Sequence, residues 1–197
     1  MITLLNGSVE RLDIRETLRY LGYAGVRSAE GMDDVMSECE KMLLPALAPR
    51  AVYDTFPLKR GENDELDLGF AKVRSHSLSV NLKDSTHIVL FAATVGAEVD
   101  RLILKYSKLS PARAVVLQAM GAAAVEQWCD EVNAAIRAKY GVTRPRFSCG
   151  YGDLPLALQR DIFSALSVTK HIGVTLTEGD LMMPSKSVTA IVGIQSR

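Results

Sequence analysis

Apolar positions along the chain recur with two periods, and the changes of period mark out the predicted elements. Ile14, Leu18 and Leu21 follow the three-to-four spacing of a short helix, with Asp13 as its N-cap and Gly22 as its stop. A second helix is predicted after Ser28 as cap. Met32, Val35, Met36, Cys39, Met42 and Leu43 form its apolar face, and Pro45 and Pro49 close it. Residues 50–58 alternate and are rich in β-branched and aromatic side chains, so they predict a strand. Residues 59–65 read as a solvated turn, and residues 66–73 and 77–82 as short strands. The continuous apolar run over residues 86–94 predicts a buried central strand. A helix follows from Val95 through Tyr106.

Ser110-Pro111 is a strong helix start, serine as cap and proline at the first helical position. The helix it opens runs to Tyr140 and stops at Gly141. Its first half carries Ala112, Ala114, Ala119, Ala122, Ala123 and Ala124, small residues that let a neighbour approach closely, which makes it the central helix of the fold. A further helix over residues 156–166 precedes strands over 169–177 and 187–194, joined by a turn containing Gly179 and Pro184. Strands that follow one another without intervening helices favour an α+β fold over a doubly wound parallel sheet.

Composition narrows the class. A chain of 197 residues suits a single domain spanning 1–197, with residues 1–80 supplying the amino-terminal helices and first strands. Lysine plus arginine balances aspartate plus glutamate at 23 each, which argues against a dedicated nucleic-acid binder. Cys39, Cys129 and Cys149 form no close pair, so a reducing, cytoplasmic setting is expected. The amino terminus lacks the basic flank of a signal peptide. The apolar region over residues 115–125 is broken by Gln118 and Gly121, so no membrane span is expected. His76, His87 and His171 stand at no metal-ligand spacing, and no phosphate-loop or dinucleotide fingerprint is present.

The richest chemistry lies in Arg144-Pro-Arg-Phe-Ser-Cys-Gly-Tyr-Gly-Asp-Leu-Pro155. Glycines on either side of Tyr151 permit close backbone approach to a ligand, and two guanidiniums, a hydroxyl, a thiol and a carboxylate surround them. Arg146 suits a bidentate clamp on a ligand carboxylate, which lysine cannot copy. Arg144 and Arg146 read equally well as surface arginines flanking a proline. Cys149 with His171 as base is a weaker nucleophile reading than a small residue in a tight loop, and Ser148 lacks the glycine of a nucleophile elbow.

Three ordered motifs resemble the activation (reactivation) domain of cobalamin-dependent methionine synthase. They are Arg146-Phe-Ser-Cys-Gly-Tyr151, Lys170-His-Ile-Gly-Val-Thr-Leu-Thr-Glu178 and Met182-Met-Pro-Ser-Lys-Ser-Val-Thr-Ala190. The resemblance covers the carboxy-terminal half, extends to residues 93–101 and the long helix, and thins over the first 80 or so residues. It implies a twisted, mostly antiparallel sheet with a long central helix and flanking helices. It implies S-adenosylmethionine in a shallow groove, presented to cobalamin on a partner methionine synthase module, with a flavodoxin-like electron donor.

Residue by residue, the resemblance implies that Arg146 pairs with the ligand carboxylate and that Ser148 lies where backbone groups contact the adenine. Gly150 would allow the close approach and Tyr151 would border the site. Asp13 would hold the ligand amino group, although N-capping explains Asp13 equally well. The resemblance also implies a free-standing accessory subunit working in trans rather than a self-sufficient enzyme. The chain stops at Arg197, before the tyrosine-containing segment with which the family continues. A non-catalytic module that docks on a corrinoid protein without binding S-adenosylmethionine is the alternative, and a methyltransferase acting on another corrinoid protein would share the same site.

Overall fold

The computed structural model describes residues 1–23 and 31–195. In chain order these residues form β1 (Thr3–Asn6), α1 (Ile14–Tyr20), α2 (Asp33–Leu43), β2 (Arg50–Pro57), β3 (Lys59–Arg60), β4 (Glu65–Asp67), β5 (Lys72–Arg74), α3 (His76–Asn81), β6 (Ser85–Thr94), α4 (Glu98–Leu109) and α5 (Pro111–Tyr140). After a long irregular segment come α6 (Gln159–Leu166), α7 (Val168–Ile172), β7 (Thr175–Leu176), β8 (Met182–Met183) and β9 (Ser187–Gln195).

The main sheet has the order β1-β2-β6-β9, and every pairing in it is antiparallel. Side chains alternate between its two faces. Ala51 and Tyr53 of β2, Val89, Phe91 and Ala93 of β6, and Ala190 and Val192 of β9 belong to one core. The residues between them, Val52, Ile88, Leu90, Ala92 and Ile191, belong to another. The first core is closed by α1, α2, α4 and α5, the second by α3, α6, α7 and the strands of a small sheet of order β3-β4-β5. From Ile88 to Ala93, β6 is buried on both faces, and there its sequence is an unbroken apolar run rather than an alternation.

The long helix keeps its predicted limits: Pro111 opens it, and Gly141, at φ 85°, closes it. Ser110 starts it through its backbone carbonyl, which accepts the Ala114 N–H at 3.0 Å, while its hydroxyl takes no part in capping. Ser28 lies outside the described residues; α2 as described begins at Asp33, with Met32 at its cap.

Residues 77–82 form a helix where a strand was expected. Ser75 caps it, its Oγ accepting the Leu78 N–H at 3.1 Å. Asp153, from far along the chain, accepts the N–H groups of His76 and Ser77 at 2.7 and 3.0 Å. Leu78 and Leu82 then stand one turn apart, both fully buried. Their serine and asparagine neighbours give the stretch an alternating pattern that hides this spacing.

The strand expected over 169–177 shrinks to Thr175–Leu176. Ser167, at φ 47°, turns the chain from α6 into α7, and Gly173, at φ 72°, ends α7. Thr169 is accommodated by its hydroxyl, which donates to the Val174 carbonyl at 2.8 Å. Residues 59–65, expected to be a turn only, include β3, and β1 is an edge strand that the apolar pattern did not reveal. Among the described residues, no helix is long and apolar enough to cross a membrane.

Candidate functional site

The sequence between α5 and α6 begins by attaching itself to the sheet. The Arg144 N–H donates to the Gly193 carbonyl at 2.9 Å, and Phe147 exchanges two backbone hydrogen bonds with Ile191 of β9 at 2.9 and 2.8 Å. Arg146, between these anchors, turns its side chain toward α5. Arg144 goes elsewhere: its Nε donates to the Asn81 carbonyl at 3.0 Å, which fastens the segment to the end of α3.

On α5, Ala123, Glu126, Gln127 and Asp130 share one face by helical spacing. The amino-terminal end of α1 lies against that face. Gln127 Nε2 donates to the Arg11 carbonyl at 3.1 Å, and Leu12 and Leu18 are buried beside the helix layer. Between α1, α5 and Arg146 opens a cavity of about 1030 Å³. It is bordered by Asp13 and Glu16 from the α1 side, by Glu126, Gln127 and Asp130 from α5, and by Arg146.

Asp13 and Arg146, distant in sequence, therefore border one cavity. Asp13 caps α1 through a single oxygen: Oδ1 accepts the N–H groups of Arg15 and Glu16 at 2.8 and 3.1 Å. Among the described residues no donor reaches Oδ2. The two readings of Asp13 are thus compatible, since one oxygen serves the helix and the other is free for a cation. Glu16 is engaged by Arg19, which donates from Nε to both of its oxygens at 3.1 and 3.0 Å.

Arg146 is held by two carboxylates. Nη1 donates to Asp130 Oδ1 at 2.6 Å, and Nη2 pairs with Glu126 Oε2. Burial works against its charge, but the hydrogen bond to Asp130 and the nearby Cys129, Glu126 and Asp130 outweigh it, so the guanidinium is held above its ordinary range. The rim is mixed in sign, with Arg11, Arg15 and Arg146 facing Asp13, Glu16, Glu126 and Asp130. Such a lining suits a ligand that carries a carboxylate together with positive charge.

Ser148, Gly150 and Tyr151 sit beyond Phe147 and do not line this cavity. Ser148 is half-buried, and its carbonyl accepts the Tyr151 N–H at 3.3 Å. Gly150, at φ 84°, donates its N–H to the Leu154 carbonyl at 3.0 Å, a backbone conformation that side chains disfavour. Tyr151 is 71 % exposed, its ring edge-on to Phe147 at 6.5 Å, and so presents an aromatic face to solvent. Asp153 ties this half of the loop to α3: besides its two backbone bonds, its Oδ1 accepts the Ser75 hydroxyl at 2.6 Å. That hydroxyl, followed by the backbone donors of His76 and Ser77, holds the Asp153 carboxyl well below the usual carboxylate range.

Cys149 has no hydrogen bond to His171 among the described residues, and burial pushes its thiol up to about 12. This is the environment of an inert thiol. The α5 residues Glu126, Gln127 and Asp130 were not singled out from sequence. Their signal was a polar stripe at helical spacing crossing an otherwise alanine-rich, buried helix.

Neither a family model nor a curated protein matches the chain. Among solved structures, it is similar to the crystal structure of the MetH reactivation domain bound to AdoHcy. The TM-score is 0.77 at 18 % identity, over 100 % of this chain and 80 % of that one. The chain therefore has the fold of a methionine synthase activation domain: an antiparallel sheet carrying a long helix, with smaller helices around it.

Proposed function

We propose that this chain binds S-adenosylmethionine and supports the reductive methylation of cob(II)alamin carried by a separately encoded methionine synthase, with a flavodoxin-like protein as electron donor. The reading rests above all on one observation: Arg146 and Asp13 line the same cavity, and Asp13 uses only one of its oxygens to cap α1. A guanidinium and a carboxylate across one space match the carboxylate and ammonium of an α-amino acid. AdoHcy in the solved neighbour of the same fold supports the same ligand class.

When bound, S-adenosylmethionine supplies an electrophilic methyl group on a sulfonium, which is a good leaving group. The work of this chain is then positioning. Arg146 clamps the ligand carboxylate, and Asp13 Oδ2 accepts from the ammonium. Gly150 leaves room for the backbone to approach the adenosyl portion, with Ser148 beside it in the same turn. Tyr151 offers the exposed ring on which an adenine can stack. The carboxylates of Glu126 and Asp130 give the cavity a negative side that favours the cationic ligand.

Calorimetric titration with S-adenosylmethionine tests the reading. Charge-assisted hydrogen bonds contribute about 1.5–3 kcal/mol, so Arg146→Ala should weaken binding about tenfold to a hundredfold while the fold is retained. Equal affinity in the two proteins removes Arg146 from the site. Binding to the partner's cobalamin module with none to S-adenosylmethionine leaves the docking module as the function.

A further inference from the structure

Arg146 is already occupied. This inference rests on the reading of Arg146 as a carboxylate clamp and concerns what that clamp must release first. The fork made by Nη1 and Nη2 is the geometry that grips a carboxylate with two parallel bonds. In this chain each arm is taken by a different acid, Nη1 by Asp130 and Nη2 by Glu126. Each of these nitrogens carries a second N–H, but a ligand carboxylate seated across the fork draws on the same two nitrogens and meets the charge of both acids, so it competes with them for the guanidinium.

The two acids are held differently. The Glu126 side chain is 33 % exposed and that of Arg146 23 %, whereas Asp130 is 73 % exposed. Asp130 stands one helical turn beyond Glu126, at the rim of the cavity, where its carboxylate can swing out and be solvated. Among the described residues, the one hydrogen bond of that carboxylate is to Arg146. Glu126 is enclosed further down the same face and has less water to receive it.

We propose that Asp130 is an internal competitor, a carboxylate that occupies the Arg146 fork in the free protein and yields it to the ligand carboxylate, so that it sets the ligand concentration at which the site fills. Glu126 stays with the guanidinium and keeps it aimed into the cavity. Asp130 thus governs affinity for amino-acid-bearing ligands while touching none of the ligand's other groups.

The test must separate competition from simple charge attraction, because removing Asp130 also removes a negative charge that draws in a sulfonium. S-adenosylhomocysteine, which has the same amino-acid end but no sulfonium charge, isolates the first effect. Calorimetry with this probe compares wild type, Asp130→Asn and Asp130→Glu, with the Tm of each recorded to show that all are folded. Exposed ion pairs are weak, so Asp130→Asn should tighten S-adenosylhomocysteine by about two- to fivefold, with Asp130→Glu close to wild type. Unchanged or weaker binding by Asp130→Asn overturns the inference while leaving the site intact. So does equal tightening by Asp130→Glu. Failure of both wild type and Asp130→Asn to bind either S-adenosylhomocysteine or S-adenosylmethionine overturns the underlying reading, and the inference falls with it.

Discussion

Asp13, which lines the cavity, uses one carboxylate oxygen for the helix it begins and leaves the other without a donor among the described residues. The two roles separate by substitution. Asparagine caps helices about as well as aspartate, so Asp13→Asn should unfold within about 0.5 kcal/mol of wild type while losing about tenfold in affinity for S-adenosylmethionine. Asp13→Ala loses the cap as well, at a cost of about 0.5–2 kcal/mol. Chemical denaturation and calorimetry on the pair give both numbers; an Asp13→Asn protein that binds as wild type assigns Asp13 to capping alone. From sequence, the capping role of Asp13 was legible because a cap is local, read from the residues that follow it. The companionship of Asp13 with Arg146 is a tertiary fact, set by α1 packing against α5; in the sequence only the family resemblance pointed to it, and no local pattern did.

At the level of elements, the clearest predictions concerned those whose signals lie within themselves. The proline and glycine that bound α5 are such signals, and so is the unbroken apolar run of β6. The element read wrongly, α3, takes part of its cap from another segment, since Asp153 supplies the acceptors for two of its first N–H groups. That bond network also ties the loop to α3 at Asp153, so its titration reports on the coupling. The Asp153 carboxyl is depressed in the folded state, and its contribution is therefore complete above the ordinary carboxylate range and lost as pH falls through the folded value. Asp153→Asn should accordingly have a lower Tm than wild type at neutral pH. The gap should persist through mild acid and close below about pH 4. A gap that stays constant down to strongly acidic pH would show that the charge of Asp153 contributes nothing to the cap.

In the molecule as a whole, one sheet separates two apolar cores, and β6 sits in both. The burial of β6 followed from the sequence, because a strand covered on both faces has no polar alternation; the two cores it separates did not. The use of the sheet's far edge did not follow from it: β9 is covered by the segment that carries Arg146, bonded to it at Gly193 and Ile191. Amide hydrogen exchange turns that attachment into a boundary. Arg144 and Phe147 can exchange only when the segment lifts off the sheet, so their amides should exchange as slowly as those of β6. Tyr151 is held by a turn bond of 3.3 Å and should exchange orders of magnitude faster. Uniform rates from 144 to 151 would erase the boundary. If it holds, the guanidinium clamp belongs to the most persistent part of the protein, and the aromatic face beside it opens and closes on its own. A ligand that reaches from one to the other would then register as slowed exchange on the Tyr151 side alone.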